Sequence, residues 1–319
     1  MKVCYLIQTY KNPEQIYRLV CLIKKQAPNS QVIVSHDFSN CNLDVAALQN
    51  FPKVQVFPGQ GGRGDFATVQ RYLDAVEWLL SNNVDFDWLV NITGQDYPIQ
   101  PLSQIENFLT ETSYDGFIEY FNVFSKESHW NIREGCSRYL YKYKQLVLDL
   151  PEWQKELLKP LKIINYIQPF FRLNFSYGIT FGVRNPAPFN ENFICYGGAF
   201  YCTLSKKCIQ YLHEFAKANP EVVDYYRSVS IPEESLIQTV LVNSGLFRLC
   251  DDSKRYFDFS TTRNGRPQTL TTNDYPALVE SNAHFARKFD LSEGSKILDL
   301  LDSRILQRSQ EYHQEANTR

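Results

Sequence analysis

The run Lys2-Val3-Cys4-Tyr5-Leu6-Ile7-Gln8-Thr9 is apolar almost throughout, and Asn12-Pro13, a pair typical of a helix start, follows it. A near-continuous apolar run predicts a strand buried on both faces, as in the middle of a parallel sheet. Apolar residues at helical spacing then predict a helix that extends to about Gln26. The chain is therefore predicted to begin as a strand followed by a helix.

The same alternation of strand and helix continues through the N-terminal half. Further strands are predicted at Gln31–His36, Val54–Phe57, Trp88–Thr93 and Gly116–Phe121. Helices are predicted between them at Asp44–Asn50, Phe66–Leu80 and Leu102–Thr110. This order predicts an α/β fold with a mostly parallel central sheet flanked by helices.

The middle of the chain breaks the alternation. Helical patterns around Ser137–Leu148 and Pro151–Tyr166 predict a helical insertion over residues 123–180, packed over the sheet. Strands and helices resume over residues 181–305, and an amphipathic helix is predicted at 292–305. The polar residues 306–319 predict a frayed tail. We expect one domain over 1–319, in which the insertion separates residues 1–122 from residues 181–305.

Composition and charge limit the classes of function. The net charge of −2 argues against nucleic-acid binding, which usually needs a strongly basic face. No apolar run approaches the ~20 residues that span a bilayer, and the N-terminus lacks a signal-peptide pattern, so we expect a cytoplasmic protein. The eight cysteines form no Cys-x-x-Cys pair and are expected to be reduced. The histidines lack zinc-ligand spacing.

Two stretches in the second half carry candidate chemistry. In the first, Pro232-Glu233-Glu234-Ser235, the pattern Ser230-x-x-Glu233 predicts a capping box. Glu234 is not needed for that cap, and the positive end of a helix favours its ionised form, as a catalytic base requires. In the second stretch, Phe285-Ala286-Arg287-Lys288-Phe289-Asp290, two adjacent cations could hold a phosphate or could simply be surface charges on an edge strand.

Two other motifs give a weaker indication of function. The glycine-rich loop Pro58–Asp65 matches neither the Walker pattern nor the dinucleotide fingerprint, and it is either a ligand loop or a plain turn. Asp85-Phe86-Asp87 has the Asp-x-Asp spelling of a metal site but precedes the strand at Trp88. A metal motif should follow a strand, at the carboxyl end where α/β sheets bind ligands. We therefore predict no metal site and no cofactor.

Several stretches in order resemble the core-2/I-branching β-1,6-N-acetylglucosaminyltransferase family, which also contains peptide O-xylosyltransferases and plant glucuronosyltransferases. The stretches that carry the resemblance are Val34-Ser35-His36-Asp37, Arg63-Gly64, Asn91-Ile92-Thr93-Gly94-Gln95-Asp96-Tyr97-Pro98, Gly197-Gly198-Ala199-Phe200, Leu204-Ser205, Pro232-Glu233-Glu234-Ser235 with Gln238-Thr239, and Phe285–Asp290. They span nearly the whole chain, and the Gln-Asp-Tyr-Pro and Phe-Ala-Arg-Lys-Phe-Asp runs are the most specific.

The resemblance implies a GT-A-type fold and an inverting reaction with a UDP-sugar, UDP-GlcNAc being the first choice, without a metal. It implies that residues 1–122 bind the nucleotide and 181–305 bind the acceptor and carry out catalysis. Glu234 matches the catalytic base, and Arg287 and Lys288 match the residues that hold the diphosphate, with Arg266 as an additional contact. The expected nucleoside and donor contacts are Gln8, His36, Asp37, Arg63, Gly64 and Asp96. The expected sugar or acceptor region is Gly198, Ala199 and Phe200.

Departures from the family pattern leave the substrates open. Family members often have Trp in a Gly-Ser-x-Trp run where this chain has Gly197-Gly198-Ala199-Phe200. UDP-xylose, UDP-glucose and UDP-glucuronate therefore remain alternative donors, and a non-catalytic glycan-binding protein on a transferase fold remains an alternative of another class. The family's Golgi members have a membrane anchor, which this sequence lacks. We expect a bacterial-type enzyme with a glycan or glycolipid acceptor, with peripheral membrane association left open.

Overall fold

A computed structural model describes residues 1–62, 64–147, 151–175, 179–260 and 266–318. The strands in these ranges are β1 (Val3–Thr9), β2 (Gln31–Asp37), β3 (Val54–Gly59), β4 (Trp88–Thr93), β5 (Asp96–Pro98), β6 (Gly116–Phe117), β7 (Phe121–Asn122), β8 (Tyr141–Val147), β9 (Phe171–Asn174), β10 (Ile179–Arg184), β11 (Tyr196–Gly197), β12 (Thr203–Ser205), β13 (Leu249–Cys250), β14 (Arg255–Phe257) and β15 (Phe285–Arg287).

The α-helices in the same ranges are α1 (Pro13–Gln26), α2 (Val45–Gln49), α3 (Ala67–Ser81), α4 (Leu102–Glu111), α5 (Ile132–Tyr139), α6 (Glu152–Leu158), α7 (Ile164–Ile167), α8 (Lys206–Ala218), α9 (Pro220–Ser228), α10 (Leu236–Ser244), α11 (Tyr275–Glu280) and α12 (Lys296–Thr318). Short 3₁₀ turns occupy Lys159–Ile163, Pro232–Glu234, Thr272–Asp274 and Leu291–Glu293.

The central sheet has the strand order β13-β6-β12-β4-β1-β2-β3. Strands β4, β1, β2 and β3 are parallel, whereas β12 is antiparallel to both of its neighbours. The chain order reverses between β1 and β4, so their carboxyl ends flank the crevice where open α/β sheets bind ligands. The predicted α/β architecture with a mostly parallel central sheet is confirmed.

The core lies on both faces of this sheet, because side chains alternate along each strand. On β1, Val3, Tyr5 and Ile7 belong to the apolar cluster that α1, α4 and α12 cover. Cys4 and Leu6 point to the opposite cluster, which α3, α8 and α10 cover. The sheet is thus sandwiched between two layers of helices, and the continuous apolar run at the N-terminus reflects burial on both faces.

The predicted helical insertion is helical only in part. Residues 141–147 form strand β8 instead of the end of a helix, and β8 pairs with β10 in a three-stranded antiparallel sheet, β8-β10-β9. The sequence Tyr141-Lys142-Tyr143-Lys144 alternates with a period of two, and its tyrosines turn inward while its lysines are exposed. That alternation is the strand signal that the helical interpretation missed. The predicted helix at Pro151–Tyr166 is confirmed as α6, a 3₁₀ turn and α7.

The C-terminal helix also differs from the prediction. Ile297, Leu298, Leu301 and Ile305 are buried as predicted, but α12 continues to Thr318 instead of ending in a frayed tail. Among the described residues, no helix combines the length and the apolar character needed to cross a bilayer. All eight cysteines lie in the described ranges, and each has a free thiol.

Candidate active site

The carboxyl end of β2 places Asp37 in the crevice of the sheet. Asp37 Oδ1 accepts hydrogen bonds from the Ser39 backbone N–H (2.9 Å) and hydroxyl (2.7 Å), and Oδ2 accepts one from Asn40 Nδ2 (2.7 Å). Burial alone would raise the pKa of Asp37, but these hydrogen bonds and the nearby Arg71 guanidinium leave that pKa lowered. Asp37 is therefore a preorganised carboxylate.

His36 has a structural role beside it. Its ring is fully buried, with Nδ1 2.8 Å from the Thr9 hydroxyl and Nε2 2.9 Å from the Cys41 carbonyl oxygen. Because both ring nitrogens are already used, His36 has no free polar atom for a nucleoside. Its donor contact stays a prediction, and its side chain fixes the loop that follows β2.

Gln8, at the end of β1, is also buried and donates from Nε2 to the Thr68 carbonyl oxygen (3.2 Å). The neighbouring strand ends are tied together by Arg71, which sequence reasoning missed. Its guanidinium donates to the Thr9 carbonyl oxygen (3.0 Å), the Ser35 hydroxyl (2.9 Å) and the Ser35 carbonyl oxygen. Arg71 thus holds the carboxyl ends of β1 and β2 in register.

The glycine-rich loop connects this region to the candidate base. A Cβ atom on Gly61 would lie 2.0 Å from Asp37 Oδ2, so only glycine lets the loop approach that carboxylate. Gly64 has a positive φ of 70°, and its carbonyl oxygen accepts a hydrogen bond from Ile231 N (2.9 Å). The loop is therefore a connector between two parts of the site. Arg63 lies outside the described residues.

Arg287 lies on β15, directly across from Asp96 on β5. Its Nε is 3.4 Å from Asp96 Oδ1, and its Cζ lies 4.0 Å from the ring centroid of Tyr201. Nε and Nη1 of Arg287 are buried and have no hydrogen-bond partner in the described residues. Buried N–H donors normally find an acceptor, so donors of Arg287 that make no hydrogen bond indicate a place for an anionic ligand beside the Asp96 ion pair.

Lys288 extends this positive region. Burial lowers the pKa of Lys288, and the positive charges of Lys11, Arg266 and Arg287 lower it further. Lys11 is balanced by Asp290 at 2.6 Å, while the Arg266 side chain is exposed. These four cations, which we call the cationic cluster, repel one another, and a bound polyanion would relieve that repulsion. The cluster brings together all three predicted diphosphate contacts, and Lys11 is an addition that the sequence did not reveal.

Glu234 lies at the end of the 3₁₀ turn Pro232–Glu234, with 36% of its side chain exposed. Its Oε2 forms an ion pair with Arg138 Nη1 at 2.6 Å. Arg138 also pairs with Glu134 (2.5 Å) and stacks on the Trp130 ring at 4.2 Å. Burial raises the pKa of Glu234, while Arg138 opposes that rise. The pKa of this half-exposed carboxylate stays raised overall, and Arg138 is the cation that limits the rise.

The neighbouring Glu233 does not form the predicted capping box. The turn begins after Ile231, which has a left-handed backbone (φ 55°), and no side chain caps it. Instead, Glu233 is half-buried, and its Oε2 has no hydrogen-bond partner among the described residues. Burial, together with the charge of Glu234, raises the pKa of Glu233 to about 8. Two adjacent carboxyl groups thus have different proton affinities in one turn, a pattern typical of acid–base sites.

The strand β11 and the loop after it support this turn. Gly198 N donates to the Glu234 carbonyl oxygen (3.0 Å), and a Cβ on Gly198 would lie 2.0 Å from the Glu119 carbonyl oxygen. Ala199 N donates to Glu119 Oε2 (2.9 Å), and Gln238 Nε2 donates to the Ala199 carbonyl oxygen (2.8 Å). Gly198 and Ala199 are thus placed against the candidate base by their backbone, with Glu119 as a further carboxylate nearby.

Phe200, the third residue of the predicted sugar or acceptor region, differs from Gly198 and Ala199 in its side chain. Its side chain is buried and packs edge-to-face against Tyr72 and Tyr201, so it belongs to the core instead of a sugar-contacting surface. Phe200 affects the cationic cluster only indirectly: it packs on Tyr201, and the Arg287 guanidinium stacks on the Tyr201 ring. Replacing a family Trp by Phe at this position therefore changes the packing beneath the cationic cluster.

A surface depression of about 350 Å³ is linked to the Glu234 turn through Trp130 in its lining and through Arg138, the partner of Glu234. Its lining includes Trp130, the ring on which Arg138 stacks, and His129, whose Nδ1 lies 3.4 Å from Glu119 Oε1. Lys126, Ser128 and Asn131 add polar groups at its edge. An aromatic floor with polar sides suits a sugar ring, which offers an apolar face and hydroxyl groups at its rim.

The Asp-x-Asp motif at residues 85–87 lies before β4, as the sequence predicted. Asp85 pairs with Lys2, and Asp87 Oδ2 accepts from the Lys2 backbone N–H (2.7 Å), so both acids lie at the amino end of β4. That end is opposite to the crevice. Among the described residues, no three His, Cys, Asp or Glu side chains gather closely enough to hold a metal ion.

Comparison with known proteins identifies the family. Residues 3–279 match the family model described as "Core-2/I-Branching enzyme". The chain belongs to this family, and it is thus a glycosyltransferase of the core-2/I-branching type. The GT-A-type α/β fold implied by the sequence resemblance agrees with the mostly parallel sheet and its helical layers.

Two similar proteins are β-glucuronosyltransferases of Arabidopsis thaliana. GlcAT14B is 23% identical over 329 aligned residues, which cover 97% of this chain and 67% of the plant protein. GlcAT14A is 24% identical over 243 residues, which cover 75% of this chain and 47% of that protein. Both matches leave a substantial part of the plant proteins without a counterpart here.

Solved structures show only a distant likeness. A 4-diphosphocytidyl-2C-methyl-D-erythritol synthase has a TM-score of 0.38 at 10% identity, covering 87% of this chain and 97% of that one. A cytidylyltransferase from Leptospira borgpetersenii has a TM-score of 0.27 at 21% identity, covering 37% and 54% of the two chains. Similarities this low have no bearing on function.

Proposed function

We propose that this glycosyltransferase uses a UDP-sugar and no metal, and that it inverts the anomeric centre. In the proposed step, the oxygen of an acceptor hydroxyl attacks the anomeric carbon while Glu234 takes the proton from that hydroxyl. The bond between the anomeric carbon and the UDP oxygen breaks, and UDP leaves with the bonding electron pair. One direct displacement of this kind gives a β-linked product from an α-linked donor.

The observation that carries the proposal is the environment of Glu234. A general base must be reachable by substrate and ionised at working pH. Glu234 is half-exposed, and Arg138 limits the rise in pKa that burial causes, although the pKa stays above its usual value. Glu233, with its pKa raised to about 8, is the poorer base near neutral pH because it holds its proton. The pair therefore favours Glu234 as the proton acceptor.

The cationic cluster would stabilise the leaving UDP. Negative charge develops on the diphosphate as the glycosidic bond breaks, and fixed cations that are already in place lower the energy of that state. Arg287 offers buried N–H groups that lack a partner in the described part of the chain, and Lys288 adds a half-buried ammonium group. Removing a preorganised donor of this kind typically costs about 10²–10³ in rate. Asp37 and the loop at Gly61 are proposed to meet the nucleoside.

The acceptor glycan is proposed to occupy the depression at Trp130. It is lined by an aromatic ring and polar groups, and it is linked to Glu234 through Arg138. A sugar bound there would connect to Glu234 through Trp130 and Arg138. Glu119, which pairs with His129 and holds Ala199, would help to orient that acceptor.

The donor sugar has two leading candidates. UDP-GlcNAc is the first choice because of the family resemblance, and UDP-glucuronate is favoured by the two plant relatives, which are named as β-glucuronosyltransferases. UDP-xylose and UDP-glucose are the remaining alternatives. A glucuronate donor would add a carboxylate, for which the crowded cations around Lys288 offer a partner.

A panel of UDP-sugars tests this function. We expect the purified chain to release UDP from one of these donors in the presence of EDTA, and to bind UDP in calorimetry. Activity that EDTA abolishes would overturn the metal-free mechanism. UDP binding without release from any donor, even with a panel of glycan acceptors, would favour the non-catalytic alternative, and a chain that binds neither UDP nor any UDP-sugar would contradict the proposal.

A further inference from the structure

The insertion carries a concentrated patch of exposed apolar side chains. Between residues 153 and 170, six large apolar side chains are 63–74% exposed, and we call them the apolar patch: Trp153, Leu157, Ile163, Tyr166, Ile167 and Phe170. Among all described residues, only Leu246 is another large apolar side chain exposed to this degree. Isolated exposed apolar residues are normal, but a contiguous group of them marks an interaction surface.

The spacing of the patch follows the helices that carry it. Trp153 and Leu157 are four residues apart on α6, and Ile163, Tyr166 and Ile167 follow at intervals of three and four. Residues at these intervals share one face of a helix. Trp153 and Leu157 therefore share one face of α6, the side chains at 163, 166 and 167 lie close together around α7, and all five are exposed.

The polar face of the same segment points inward. Asn165 donates from Nδ2 to the Leu173 carbonyl oxygen and accepts from Leu173 N, both at 2.8 Å. Gln168 Oε1 accepts from Phe171 N (2.9 Å), so both amides attach the segment to strand β9. A surface helix normally turns its apolar face to the core and its polar face to water. This reversed orientation indicates that the outer face meets an apolar medium.

The charge around the patch identifies that medium. Residues 140–184 contain seven Lys or Arg and three Asp or Glu, although the whole chain has a net charge of −2. Lys142 and Lys144 are exposed on β8, and Lys162 lies within the apolar segment. A second copy of the chain would bring this positive region against itself. An anionic lipid surface instead complements both features, and Trp and Tyr are enriched at such interfaces.

We propose that the apolar patch docks this protein onto an anionic membrane surface, with the six side chains entering the headgroup region and the flanking lysines meeting lipid phosphates. The insertion is close to the candidate site, since α5 immediately precedes β8 and carries Arg138, the partner of Glu234. Docking here would bring the Glu234 turn near the membrane, where a lipid-linked acceptor could be reached.

Vesicle flotation tests this inference without any donor or acceptor. The wild-type chain is expected to float with vesicles of phosphatidylcholine and phosphatidylglycerol, and to bind phosphatidylcholine alone more weakly. Salt near 1 M, where the Debye length is ~3 Å, should weaken the charged component. The double variant Ile163→Ser/Ile167→Ser should bind about tenfold or more weakly, because two side chains no longer enter the apolar layer. Lys142→Glu/Lys144→Glu should lose the preference for anionic lipid.

The matched control is Leu246→Ser/Leu306→Ser, which removes two exposed leucines outside the patch. It should bind vesicles like the wild type, and all variants should keep the wild-type circular dichroism spectrum. Failure of the wild type to float, or equal losses in the isoleucine and leucine variants, would overturn the inference. So would a concentration-dependent dimer that Ile163→Ser/Ile167→Ser abolishes, because the patch would then bind a second copy. Since no turnover is measured, these results do not depend on the proposed reaction.

Discussion

Replacing Arg138 by Gln tests how the structure sets the proton affinity of Glu234. The substitution removes a guanidinium whose Nη1 lies 2.6 Å from Glu234 Oε2. Burial would then raise the pKa of Glu234 without opposition, and the charges of Glu134 and Glu119 would add to the rise. An opposite charge at this distance typically lowers a carboxyl pKa by about 1–3, and because Glu134 shares the guanidinium we expect the lower part of that range, about 1–2.

The assay is kcat/KM for sugar transfer as a function of pH. A base must be deprotonated, so a raised pKa moves the acidic limb of the profile to higher pH. On that limb the Arg138→Gln enzyme should be about tenfold less active than the wild type if the pKa of Glu234 rises by about 1, and about a hundredfold if it rises by about 2. It should recover much of its activity at alkaline pH, where Glu234 ionises again.

Glu134→Gln is the matched control, because it removes the other partner of Arg138 and a negative charge that raises the pKa of Glu234. Its acidic limb should move slightly in the opposite direction, to lower pH. A profile for Arg138→Gln that superimposes on the wild-type profile after scaling, or that moves to lower pH, would refute the reasoning. Either result would mean that Arg138 supports only the local fold.

Two further predictions concern stability and donor binding. Because the folded-state pKa of Glu233 is raised to about 8 from 4.5, folding stability should fall as pH rises from about 4.5 through 8. Such a pKa difference would correspond to at most ~5 kcal/mol of folding stability, and half-burial reduces our expectation to ~2 kcal/mol. Glu233→Gln should therefore raise Tm at pH 8 but hardly at pH 4.5. Equal gains in Tm at both pH values would contradict this. Lys288→Met should weaken UDP binding in calorimetry with little change in Tm. Arg287→Met should weaken UDP binding and also destabilise the fold by about 3–5 kcal/mol, because the buried Asp96 carboxylate loses its partner. Full UDP affinity in both variants would show that the cationic cluster does not bind the donor.

Much of the fold could be predicted because local patterns agree with the tertiary structure. The apolar runs at β1 and β4 and the apolar spacing of α1 and α12 were sufficient to place these elements. The strand β8 was mistaken for a helix because its tyrosine–lysine alternation lies between two helical stretches. The Ser230 capping box failed for a tertiary reason, since Ser230 N is bound to the Arg138 carbonyl oxygen instead of starting a helix.

The candidate site could be predicted only where a family pattern marks its residues. Glu234, Arg287 and Lys288 stand in such runs, but their partners do not. Arg138 is separated from Glu234 by 96 positions along the chain, and sequence spacing alone does not reveal that pairing. The contact between Tyr201 and Arg287 could not be predicted either, because it depends on the tertiary structure.

His36 shows that a motif position and a free side chain are different things. The family resemblance marked it as a donor contact because of its position at a strand end, but buried partners occupy both of its ring nitrogens. A motif position therefore identifies the neighbourhood of a site, and the hydrogen bonds decide which side chain is free to act.

The central claim is that Glu234 is the base, and its most direct test is UDP release with donor and acceptor in EDTA for Glu234→Gln beside Glu233→Gln. Gln at position 234 keeps the size of the side chain but cannot accept the proton. We predict a fall in kcat of at least about 10²-fold for Glu234→Gln with unchanged UDP affinity, and near wild-type turnover for Glu233→Gln. Turnover that survives in Glu234→Gln and is lost in Glu233→Gln would contradict the account.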